Sequence, residues 1–159
     1  MQAGGNLMAP YVDQLMRLLD DVLCTEDLDH ILAQNVAITI GRLGTVCPEQ
    51  VSEFLDDVLV PWCQALTLVE HPVEKENAFR GLVATLHANP AALGQEEGIN
   101  YFALACSSWE GYHVDNSNET LHALANMLQT VKQQEAGAWR VMWATMAPET
   151  QNALATMFG

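Results

Sequence analysis

Six lysines and arginines stand against twenty aspartates and glutamates in a chain of 159 residues, a formal charge of −14, and half of the residues are hydrophobic. That length suffices for one unit with a core, and that apolar fraction excludes a disordered polar segment. The charge argues against nucleic acid and against an acidic lipid surface, which need clustered cations. It suits a basic protein partner, or simply keeps a half-apolar chain in solution.

In chain order the apolar spacing is helical. Met8, Val12, Leu15, Leu19 and Val22 repeat at three and four and give one face of a first helix. Leu28, Leu32, Val36, Thr39 and Leu43 give a second, expected to end near Gly41 to Gly44. Val51, Leu55, Val58, Trp62, Leu66 and Val69 predict one long third helix, kinked at Pro61. Phe79, Leu82, Val83 and Leu86 mark a fourth, Ile99, Phe102, Cys106 and Trp109 a fifth, and Leu121, Leu124, Leu128 and Val131 a sixth. Trp139, Met142, Trp143 and Met146, then Leu154 and Phe158, predict two short closing helices. No segment alternates with period two, so an all-α fold without a sheet is expected. Asp27 is the expected cap of the second helix and Ser117 or Asn118 that of the sixth, while Pro148 opens the last.

Cys24, Cys47, Cys63 and Cys106 form no CxxC pair and no zinc-finger spacing, and their apolar neighbours predict buried, reduced thiols. The N-terminal residues carry neither a basic nor an apolar leader region, and no apolar run is long enough to cross a bilayer. A cytosolic or nuclear chain is expected.

A repeat is visible. Asn35 and Asn77 are 42 residues apart, as are Pro48 and Pro90, and each Asn begins a small-apolar stretch containing an arginine. Two helices per period of about 40–47 residues is the HEAT pattern. We therefore expect a HEAT-repeat α-solenoid of three to four antiparallel helical hairpins, with units over residues 7–46, 48–89, 94–135 and a closing cap over 137–159. First helices form the convex layer of such a stack and second helices the concave one.

Catalytic constellations are missing. No histidine lies three or four residues from another, and the adjacent carboxylates Asp20-Asp21, Asp56-Asp57 and Glu96-Glu97 diverge on a helix. There is no nucleophile elbow and no phosphate loop. The chain is expected not to be an enzyme and to need no cofactor or metal. Ile31, Asn35, Ile38 and Arg42, spaced by four, three and four, line one face of the second helix, offset from the Leu32, Val36 and Leu43 seam. An exposed Ile38 there is a hydrophobic contact for a bound chain. Asn77 and Arg80 occupy similar places one unit later, where they are expected to tie neighbouring repeats together as a hydrogen-bonded ladder. The four tryptophans fall on apolar seams and read as core. Truncated stacks have open ends, so Met8, Leu15 and Leu19 are expected to favour self-association through the N-terminal end.

Several stretches resemble one family. Residues 35–44 (Asn-Val-Ala-Ile-Thr-Ile-Gly-Arg-Leu-Gly), Val46-Cys-Pro48, Pro61-Trp-Cys63, Ala78-Phe-Arg-Gly81 and Asn89-Pro90 look like the last HEAT repeats of the transportin (karyopherin-β2) family. Pro10-Tyr11, Ser108-Trp109, Ala138-Trp-Arg140 and Met157-Phe-Gly159 continue the likeness over nearly the whole chain, while residues 110–118 look longer than the family's turn. The resemblance implies a nuclear import receptor that binds basic, extended nuclear localisation signals ending in proline-tyrosine, releases them when the GTPase Ran loaded with GTP binds, and shuttles between cytoplasm and nucleus. Most of the proline-tyrosine pocket and of the Ran surface then belongs to repeats N-terminal to this segment. By position in the motif, Ile38 corresponds to a residue that touches the hydrophobic part of the signal. Asn35 lies one turn before it and Arg42 beside it. A generic HEAT scaffold or adaptor with another protein partner is the alternative.

Overall fold

Capping residues and prolines set where the helices start. The Asp29 carboxylate accepts from the backbone N–H of Ile31 at 2.9 Å and of Leu32 at 3.1 Å, satisfying two of the four donors a helix N-terminus leaves free. Asn118 does the same for Leu121 at 3.0 Å. Pro48, Pro72 and Pro148 each open a helix, where the missing N–H costs nothing. The computed structural model describes residues 3–109 and 118–158, with side chains within residues 7–156.

The helices are α1 (Ala3–Leu23), α2 (His30–Val46), the short α3 (Pro48–Ser52), α4 (Leu55–Leu66), α5 (Pro72–Ala88), α6 (Glu96–Ser107), α7 (Glu119–Gln134), α8 (Ala136–Thr145) and α9 (Pro148–Phe158), with a 3-10 turn at Pro90–Gly94. The described residues contain no strand. α1, α4, α6 and α8 pack on one another in that order as one layer, and α2, α5, α7 and α9 as the second. This is the two-layer stack of a HEAT-repeat solenoid. Its core runs between the layers through Met16, Ile40, Leu55, Trp62, Phe79, Leu82, Phe102 and Leu124, all fully buried. Trp62 on α4 donates its indole N–H to the Ala37 carbonyl of α2 at 3.1 Å, which pins the two layers together. Phe79 and Trp109 stack with ring centroids 5.0 Å apart, a favourable offset geometry.

Glycine sets the closest contact. A Cβ on Gly41 of α2 would lie 2.6 Å from the Ala78 Cα of α5, and one on Gly81 would fall directly on the Gly41 carbonyl. The helices therefore approach backbone to backbone. This corrects the expectation that α2 ends at Gly41 to Gly44. The helix runs on to Val46, with Cys47 N–H reaching the Leu43 carbonyl at 2.7 Å. The glycines mark packing here, not termination.

Other expectations are corrected in the same way. The long third helix is two helices, broken at Glu53 and Phe54 by tight turns in which Glu53 N–H bonds Gln50 O and Phe54 N–H bonds Val51 O. Pro61 lies within α4, and Pro10 within α1. Asp29, not Asp27, caps α2; Asp27 takes a left-handed φ of 53° in the preceding turn, a conformation aspartate tolerates better than most residues. Ser117 lies outside the described residues. Leu32 is exposed rather than part of the seam. At the start of the stack, Leu15 and Leu19 pack against the core, while Leu7, Tyr11 and Leu18 join Met8 on the exposed side of α1. Cys24 is exposed, whereas Cys47, Cys63 and Cys106 are buried.

Candidate functional site

The exposed faces of α2, α5 and α7 form the surface of the second layer. On α2 the row begins with Ile31, 69% exposed, and continues through exposed Asn35 to Arg42. Ile38 lies between them but is half-buried against the core, not exposed as expected, and Ile31 is the more exposed isoleucine of the row. α5 adds Val73, 60% exposed, and Arg80.

Arg42 reaches across to α5. Its Nη2 donates to both carboxylate oxygens of Glu74 at 3.0 Å, and both side chains keep substantial solvent access. The Asn77 and Arg80 expectation is corrected. Arg80 donates to Asn77 Oδ1 at 3.5 Å and to Glu76 Oε1 at 3.2 Å, both within α5. The ties between units run instead through Arg42 and Glu74 and through Lys75, while Asn89 Nδ2 donates to Ser52 O at 3.3 Å within one unit. Lys75 is buried on α5 and donates its Nζ to the Ser108 carbonyl, at the end of α6, at 2.9 Å. A cation suits that helix C-terminus, and burial holds the ammonium below the ordinary lysine range.

Lys75 escaped the sequence reading because glutamates flank it. The available signal was its spacing: Ala78, Phe79 and Leu82 follow at three, four and seven, which places Lys75 on the buried seam. Glu74 gave no local signal, being 32 residues from Arg42.

Many carboxylates answer to helix dipoles. Glu49, Asp56, Asp57, Glu74, Glu96, Glu97, Glu119 and Glu149 all occupy first turns, where negative charge is stabilising. The acids of α1, α3, α4 and α6 belong to the first layer and its connections. Burial pushes the thiols of Cys63 and Cys106 far above the usual cysteine range, and Cys63 adds to the effect on Cys106. Partial burial and then Asp20, Asp21 and Asp57 also raise that of Cys24. None of these three thiols is thus activated toward its thiolate. Among the described residues no group of three or more His, Cys, Asp or Glu is placed to hold a metal ion, and no helix is long and apolar enough to cross a membrane. Trp62, Trp109 and Trp139 are core, and Trp143, half-buried, stacks on Trp139.

A second feature of this layer was invisible in sequence. A cleft of about 500 Å³ opens between the end of α5, the Pro90–Gly94 turn and the C-terminal half of α7.

No family model matches the chain. Known proteins do. Transportin-1 of Oryza sativa subsp. japonica is 34% identical over 150 residues, 91% of this chain and 16% of that protein. Transportin-1 of Homo sapiens is 35% identical over 102 residues, 64% of this chain and 11% of that protein. Importin subunit beta-2 of Schizosaccharomyces pombe is 38% identical over 89 residues, 56% of this chain and 10% of that protein. The chain is a transportin-like member of the importin-β family. It spans under a fifth of the length of each of these relatives. Within this transportin-like segment, residues 35–44, which carried the resemblance, are the ones that build the tight α2–α5 contact and its exposed row.

Proposed function

We propose that this transportin-like chain serves nuclear protein import by binding, without making or breaking bonds. Its second-layer face takes part of a basic, extended nuclear localisation signal ending in proline-tyrosine. Asn35 and Ile38 of α2, with Arg42 beside them, contact the hydrophobic or basic stretch preceding that pair. Cargo release by Ran acts through repeats of a longer receptor, which shuttles between cytoplasm and nucleus. Self-association through the exposed row Leu7, Tyr11 and Leu18 of α1 belongs to the same reading. What supports it is the exposed, mixed apolar and polar row on α2 in a chain 34% identical to a protein named Transportin-1.

Titration of a labelled basic proline-tyrosine peptide, followed by fluorescence anisotropy at low and moderate salt, tests this. Binding that weakens with salt is expected, because exposed charges are screened. Ile38→Ala is expected to weaken it about tenfold, the effect of removing one partly buried aliphatic contact, with an unchanged circular dichroism spectrum showing that the variant folds, and Asn35→Ala, at an exposed position of the same row, is expected to weaken it too. No binding with protein at about 1 mM, a bound on even very weak affinity, contradicts the proposal.

A further inference from the structure

We propose that the cleft between α5, the Pro90–Gly94 turn and α7 is a second peptide subsite, which takes one bulky aliphatic side chain flanked by lysine or arginine. Its volume of about 500 Å³ falls within the ~300–1,000 Å³ of ligand-binding clefts. Leu86, Leu93 and Val131 line it as buried apolar residues, with half-buried Met127 beside them. Methionine is unbranched and adapts its shape to different side chains.

The polar lining selects the flanks. Asn126, Thr130 and Gln134 are exposed, and they recur along α7 at four-residue spacing, so they can hydrogen-bond the backbone of an extended segment. Among the described lining residues Glu135 is the one carboxylate and exposed His87 the one imidazole, and there is no lysine or arginine. In a chain of net charge −14, this edge attracts a cation and repels an anion.

The gap has a structural origin. α2 and α5 meet through Gly41, Gly44 and Gly81, but α7 carries no glycine and meets α5 through side chains. Two helix spacings of roughly 8–10 Å each separate α2 from α7. About six residues of extended peptide cover that distance, so one segment can engage the α2 row and the cleft together, and joint engagement multiplies affinity. This inference rests on the reading that the chain binds basic extended segments.

The test is methionine-methyl NMR of the full chain, with the Met127 resonance assigned through Met127→Leu. The probes are a nine-residue peptide centred on Lys-Leu-Arg, its Lys-Ala-Arg and Glu-Leu-Glu counterparts, and the proline-tyrosine signal peptide. The Met127 resonance is expected to shift with Lys-Leu-Arg, and affinity to fall about tenfold or more with Lys-Ala-Arg. Glu-Leu-Glu is expected not to bind. Ala91→Lys, at an exposed lining position where folding is not at stake, is expected to weaken binding of Lys-Leu-Arg about tenfold, and Glu135→Gln to weaken it less. An unmoved Met127 resonance with Lys-Leu-Arg, or equal binding of Glu-Leu-Glu, overturns the subsite. If signal-peptide binding still depends on Ile38 while Met127 stays unmoved, only the cleft proposal fails. If Met127 shifts while Ile38→Ala changes nothing, the cleft stands and the α2 site fails.

Discussion

Gly81→Val is expected to cost at least ~3 kcal/mol of folding stability, from over-packing together with the poor helix propensity of a β-branched residue. The Gly81 Cβ would fall on the Gly41 carbonyl and lie 2.7 Å from the Gly41 Cα. Both are backbone atoms of a helix, so no flexible side-chain end can yield. Gly81→Ala poses the sharper question. Alanine gains about 1 kcal/mol of helix propensity over glycine, whereas over-packing costs about 1–3 kcal/mol, occasionally more. Contact of backbone with backbone puts the cost at the upper end, for a net loss of roughly 1–2 kcal/mol. Gly137 of α8 is the internal control, since a Cβ there meets nothing within 4 Å. Gly137→Ala is expected to raise stability by up to about 1 kcal/mol. Denaturant unfolding followed by circular dichroism measures all three. A neutral or stabilising Gly81→Ala contradicts backbone contact between α2 and α5.

Trp62→Ala is expected to destabilise by about 3–5 kcal/mol, the usual range for emptying a large buried aromatic site. Trp62 is fully buried, and its indole N–H holds the Ala37 carbonyl of the opposite layer. Trp62→Phe keeps most of the volume and removes the donor. It is expected to cost about 1 kcal/mol, because the Ala37 carbonyl lies within α2 and keeps its helical environment. The same unfolding curves separate the two terms. If Phe and Ala cost the same, the hydrogen bond rather than packing secures the layers, contrary to this account.

Helix existence was legible because each apolar seam repeats at three and four residues, and the seams through Val58, Leu82, Phe102 and Leu124 are the ones buried. The 42-residue spacing of Asn35 and Asn77 carried the stacking order, because α2 and α5 are successive second-layer helices. Boundaries were less legible. The break at Glu53 and Phe54 contains neither glycine nor proline, and the apolar pattern of Val51, Leu55 and Val58 runs straight across it. Pro61 stands inside a helix, where the apolar pattern placed it, and α4 has buried residues on either side of it. Gly41 and Gly44 resemble a helix end because local propensity and tertiary packing place glycine for different reasons.

The exposed row of α2 could be read from spacing alone, since Ile31, Asn35 and Arg42 need only a helix and a known buried side. Its neighbours could not. Glu74, the Lys75 strut to Ser108 and the cleft beside Met127 depend on which helix lies alongside. The half-burial of Ile38 follows from packing too, because one exposed stripe is narrower than the four residues assigned to it.

The central claim is that the second layer, beginning at α2, receives an extended basic peptide. Hydrogen exchange of the chain with and without the proline-tyrosine peptide tests it most directly, because protection reports the helices that become harder to open. Slower exchange in α2 and α5, and in α7 when the cleft is filled, is the predicted result. Protection confined to α1, α4 and α6, or none at a peptide concentration that saturates the anisotropy signal, would contradict it.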